Sequence, residues 1–78
     1  MKYIIVNQEG LPCAVMFSEA IQHSTEAAGR EVMSAGFCNL QGEVWGHSES
    51  LGVHSQPQDT KHIRLTMEMS MNPKPAAR

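Results

Sequence analysis

The chain has 78 residues, with six Lys and Arg against eight Asp and Glu and a formal charge of -2. That length allows one domain, and such a domain buries only about 60% of the surface its unfolded chain exposes. The basic residues are scattered, which disfavours the clustered positive charge that nucleic-acid binding needs, and no apolar run approaches the length of a membrane span. With one Trp, one Tyr and two Phe but six Met, the core is thin and built from loosely specifying side chains. A second copy of the chain would help close it, so a homodimer is expected.

Met1 to Val6 runs into polar residues by Asn7. It is too short for the apolar region of a signal peptide, so a cytoplasmic protein is expected. Cys13 and Cys38 then read as small buried hydrophobes rather than as a disulfide.

In chain order, Tyr3–Val6 and Cys13–Phe17 are short apolar runs around Asn7-Gln8-Glu9-Gly10-Leu11-Pro12, which is dense in turn residues. This predicts a β-hairpin with a long loop. Both strands look too continuous to alternate, as expected for strands buried on both faces over part of their length. From Ser18 to Gly29 the pattern turns helical. One continuous helix, or a bend followed by a short helix capped by Ser24, both fit. Glu31 to Leu40 and Glu43 to His47 then read as two strands joined by a turn at Asn39–Gly42, with Gly36 and Gly46 marking bulges or close backbone approach.

After Gly52 two signals conflict. Ser55-Gln56-Pro57-Gln58 fits a capping box with Ser55 as N-cap and Pro57 in the first turn, followed by Asp59 to complement the helix dipole. Against this, Ile63, Leu65, Met67, Met69 and Met71 alternate with polar residues at the period of a half-buried strand. The cap and the Leu, Met, Lys and Glu content favour a helix from about Gln56. Its apolar residues would fall on two faces, so it would need covering on more than one side. The expectation is an α+β domain over residues 1–71, a mostly antiparallel sheet of about four strands with a C-terminal helix packed on one face. Residues 72–78, with two prolines and little to bury, read as a disordered tail.

The segment Gly42 to Asp59 concentrates the chemistry: the only Trp, two of four His, and several Ser and Gly. His47 and Ser48 are neighbours in an extended strand and point to opposite faces, whereas His47 and Glu49 share one, as do Ser48 and Ser50. No nucleophile-elbow pattern is present, so a non-enzymatic protein without a cofactor is expected. The Gly and Ser density from Gly46 to Gly52 could form an anion-binding nest, but it more simply satisfies turn geometry. A lone Trp is more often a core anchor than an exposed contact. On an alternating strand, however, Val44 and Trp45 must part, one to the helix layer and the other to solvent or a partner. Trp45, His47, Glu49 and His54 are therefore the candidate contact residues. The alternative is a metal or ligand site using His47 and His54 with His23 or Cys38, although the spacing lacks the paired ligands of structural zinc sites.

The order and spacing of Ser34-Ala35-Gly36-Phe37, of Gly46-His47-Ser48-Glu49-Ser50-Leu51-Gly52 and of Ser55-x-Pro57-x-Asp59 resemble a group of very small proteins from phages and prophages. The resemblance covers the chain to about Ile63. It implies no assigned activity, cofactor or catalytic residue. It implies a setting, a phage or prophage accessory protein in a bacterial cytoplasm, and with it a host or phage protein as partner.

Overall fold

The computed structural model describes residues 1–71. The tail expected at 72–78 lies outside the described residues. Strands β1 (Lys2–Gln8), β2 (Leu11–Phe17), β3 (Val32–Cys38) and β4 (Val44–Trp45) form one antiparallel sheet in the order β2-β1-β3-β4. Helix α1 (His23–Glu26) precedes β3, a small hairpin of β5 (His47–Ser48) and β6 (Val53–His54) follows β4, and helix α2 (Asp59–Met71) ends the described chain. The fold is α+β, as the pattern of elements predicts.

The first strand in sequence is central in the sheet, which explains its composition. Tyr3, Ile4, Ile5 and Val6 are all buried, because α2 covers one face while α1 and the β5–β6 hairpin close the other. A strand covered on both sides has no polar face to alternate with. Tyr3 and Ile5 pack with Ala14, Cys38 and Ile63, flanked by Met16, Val44 and Met67. Ile4 and Val6 pack on the opposite side with Ala27 and Ala35, flanked by Phe17, Leu51 and Val53. Cys13 and Cys38 are free thiols that belong to opposite clusters. Burial pushes the Cys38 thiol above its ordinary pKa.

Four local expectations are corrected. The β1–β2 connection is not a long loop, because pairing runs out to Gln8 and Leu11 and leaves only Glu9-Gly10 at the tip, both with positive φ. That two-residue turn matches the twist of the flanking strands. Pro12 fits inside β2 because β2 is an edge strand, where a missing donor costs no ladder bond. Of the two readings of 18–29, the bend followed by a short helix is the one observed, as the single turn His23–Glu26, but with Gln22 rather than Ser24 at the N-cap position. Strand 43–47 is broken at Gly46, whose φ of 79° turns the chain out of the main sheet and into the β5–β6 hairpin. Finally, the residues after Gly52 include β6, which was not expected. The turn at Asn39–Gly42 is as predicted: Asn39 Oδ1 accepts the backbone N–H groups of Gln41 and Glu43.

Residues 59–71 are helical, which settles the conflict in favour of the cap, but the capping box sits one residue later than expected. Gln56 occupies the N-cap, Pro57 the first turn, and the Asp59 carboxylate reaches back to accept the Gln56 N–H at 2.9 Å. The backbone bonds from Asp59 N–H to Gln56 and from Thr60 N–H to Pro57 open the first turn. What fixes this register is tertiary. Asp59 Oδ2 also accepts the Tyr3 hydroxyl at 2.5 Å, and its Oδ1 accepts the Ser34 hydroxyl at 2.9 Å. A carboxylate only 2% exposed must satisfy its lone pairs with protein donors, and Asp59 does so with three. Desolvation, and secondarily the bond to Asp59, push the Tyr3 phenol far above its ordinary pKa.

Candidate functional site

Beyond Gly46 the chain passes over Phe37, and the local path is tight. A Cβ on Gly36 would lie 2.6 Å from the Trp45 carbonyl oxygen and 3.0 Å from Ser55 Cβ, so the close approach expected at this glycine is present. Strand alternation separates Val44, packed toward α2, from Trp45, which is 49% exposed. Trp45 is therefore not the core anchor that a lone Trp more often provides. Its ring stacks on Phe37 with centroids 6.5 Å apart, and Phe37 in turn meets the edge of His23 at 5.8 Å. Phe17 flanks His23 at 5.6 Å from a third direction.

Trp45, Phe37 and His23 form the floor of an open depression of about 500 Å³, with Lys2, Gln22, His47, Glu49 and Ser50 among its lining residues. Of the four residues expected to contact a partner, Trp45, His47 and Glu49 line it together. His54 stands on the neighbouring strand directly opposite His47, their rings 5.4 Å apart. Trp45, His47 and Glu49 come from β4, from β5 and from the hairpin turn after it, so the kink at Gly46 and not a single strand face brings them together.

Sequence reasoning missed His23 as part of this floor. It is buried, and its Nε2 donates to the Gly36 carbonyl at 2.9 Å. A carbonyl can only accept, so Nε2 carries a proton. No buried side-chain nitrogen or oxygen lacks a partner among the described residues. Nothing local in Gln22-His23-Ser24 signals this role.

The alternative ligand set does not converge. His47 and His54 meet, but His23 is held among aromatic rings and Cys38 lies in the cluster under α2. Among the described residues no three His, Cys, Asp or Glu side chains stand close enough to hold a metal ion.

Ser48 is fully buried beside exposed His47, and its hydroxyl accepts the Leu51 N–H at 3.2 Å and lies 3.4 Å from the Ser50 hydroxyl. Together with the Gly52 N–H to Ser48 carbonyl bond at 2.8 Å, this uses the Ser and Gly residues to build the hairpin turn. Among the described residues no helix is long and apolar enough to cross a membrane. No family model matches the chain, and neither a curated protein nor a solved structure shows a significant match.

Proposed function

We propose that the protein works by binding, and that it docks on a host or phage protein through the depression floored by Trp45, Phe37 and His23. The observation that carries this reading is the half-exposed Trp45, stacked on Phe37 in the lining of a concave surface. A rigid aromatic with one free face delivers contact area at small entropic cost, and such residues dominate binding energy at interfaces. Lys2 and Glu49 supply opposite charges around the apolar floor, which suits a peptide segment offering one apolar side chain and polar flanks. The setting in a bacterial cytoplasm rests on the phage-like order of the motifs at 34–37, 46–52 and 55–59.

The test is site-specific photo-crosslinking in a bacterial host, with a photoreactive aromatic residue placed at Trp45 and, as control, at Met33 on the exposed bulge of β3. A discrete adduct from position 45, absent from position 33 and competed by the unmodified protein, is expected. Equal, diffuse labelling from both positions refutes the reading.

A further inference from the structure

The apolar face of α2 turned away from the sheet has no partner among the described residues. Residues two apart on a helix are separated by about 200° around its axis. Ile63 and Met67 therefore point into the core while Leu65 and Met69, 54% and 68% exposed, form a second stripe. Leu40, 73% exposed at the tip of the β3–β4 turn, lies across a shallow groove from Leu65, with Lys61, Arg64 and Glu68 along its walls. Arg64 is occupied, its Nε donating to the Gln41 carbonyl at 2.9 Å. Lys61 and Glu68 form no ion pair among the described residues, where the one salt bridge joins the Met1 amino group to Glu19.

The charges on this stripe are arranged in a self-complementary way. Lys61 and Glu68 are seven residues, or two turns, apart, which places them about 10.5 Å from each other along the axis with Leu65 near the midpoint. An antiparallel pair of identical helices, with its two-fold axis at Arg64–Leu65, sets Lys61 of each copy opposite Glu68 of the partner subunit and Leu65 against Leu65. A two-fold interface needs a surface complementary to itself, and a cation and an anion spaced symmetrically about an apolar centre meet that requirement.

We infer that the occupant of this face is a second copy of the chain, docked antiparallel through α2. The Leu65–Met69 stripe and Leu40 form its apolar centre, and two reciprocal Lys61–Glu68 pairs set its register. A patch confined to one short helix and one turn falls at the small end of specific interfaces, so association on the order of micromolar to tens of micromolar is expected. Val44 packs on the α2 side of the sheet and Trp45 on the other, so the dimer leaves both aromatic depressions open. The assembly would then be bivalent toward any partner that Trp45 recognises.

Sedimentation velocity on the full chain, from about 1 to 300 μM, tests this. A monomer–dimer equilibrium is expected. Leu65→Lys, at an exposed helical position, should keep the native circular dichroism and thermal transition while weakening association at least about tenfold. K61E and E68K should each weaken it about three- to tenfold, and K61E/E68K, which swaps the charges, should return to within about threefold of the native protein. Monomer throughout the range, or a dimer indifferent to Leu65→Lys, overturns the interface. Single variants that weaken the dimer without recovery in the double variant overturn the antiparallel register.

Discussion

Tyr3 donates its hydroxyl to Asp59 across 56 positions of sequence, and that bond joins the central strand to the first turn of the last helix. The same carboxylate caps α2 through Gln56 and holds Ser34 on β3, so one side chain fixes where the helix begins and where it sits on the sheet. Asp59→Asn keeps the size but puts an amide donor where the pocket presents donors. A loss of about 3 kcal/mol is expected, as for a buried charged acceptor removed from its partners. Tyr3→Phe leaves Asp59 two of its three donors and should cost about 1–2 kcal/mol. Urea denaturation measures both, and near-equal effects would show that the network does not centre on Asp59.

The alkaline limit of the fold should follow from Tyr3. Its pKa is raised in the folded state, so at high pH the folded chain holds a proton that the unfolded chain gives up. Stability is then fully present below the ordinary tyrosine pKa of about 10 and falls as pH rises beyond it, by at most about 1.4 kcal/mol per pH unit. Cys38, raised in the same direction, adds a similar dependence that begins nearer pH 8.5 to 9. Tyr3 is the only tyrosine, so tyrosinate absorbance should appear together with unfolding rather than before it. Tyr3→Phe should flatten the loss above pH 10. Tyrosinate forming in a folded protein near pH 10 contradicts the prediction.

Gly36→Ala should destabilise by about 1–3 kcal/mol, the range for overpacking at a tight site. The new methyl meets a backbone carbonyl oxygen at 2.6 Å, and a carbonyl held in the strand ladder cannot move aside as a flexible side chain would. Gly46→Ala adds a left-handed residue, at about 1–2 kcal/mol, to a contact of 2.9 Å with Phe37 Cδ1. Beyond its stability cost, that variant should disturb the stacking of Trp45 on Phe37, visible as a change in tryptophan fluorescence of the folded protein.

The two stripes of α2 should respond differently to truncation. Ile63→Ala removes a fully buried side chain and should cost about 2–5 kcal/mol. Leu65→Ala, measured at a concentration where the protein is monomeric, should stay within about 0.5 kcal/mol of native. Thermal or urea unfolding of the two variants side by side decides it.

Metal removal should leave the fold unchanged. His47 and His54 are a pair without a third His, Cys, Asp or Glu beside them among the described residues, and structural zinc takes four ligands. Thermal melting before and after treatment with a chelator is expected to coincide. A drop of several degrees would revive the histidine site.

How much of this was legible in the sequence depends on how local each cause is. The four-stranded sheet could be read because β1, β2 and β3 are long enough for their composition to register, and the Asn39–Gly42 turn because its side-chain bonds are made within five residues. His47 and Glu49 do line one depression, but β5 ends at Ser48, so the hairpin turn rather than strand alternation places Glu49 there. Helix α2 starts at Asp59 rather than near Gln56, and its capping box lies one position later than expected; Ser55-x-x-Gln58 and Gln56-x-x-Asp59 are both acceptable boxes, and the choice is made by Tyr3 and Ser34, far away in sequence. Strand β6 is two residues long and exists only through its pairing with His47 and Ser48. His23 gave no signal because its environment is built from Phe17 on β2 and from Gly36 and Phe37 on β3. Ala20, Ile21, Ala27 and Ala28 suggested a long helix over 18–29, yet only Ala27 of these is buried. Helical spacing without burial sustains little more than a turn.

Placing the earliest strand in the middle of the sheet has a consequence for biogenesis. As the polypeptide leaves the ribosome, Tyr3, Ile4, Ile5 and Val6 emerge before the segments that shelter them, which arrive from β2 onward, the last only once Asp59 and Ile63 have been synthesised. No amino-terminal fragment owns a finished interior. Maturation should therefore occur in one step once the segment through α2 has emerged, with the nascent apolar strand open to chaperones until then.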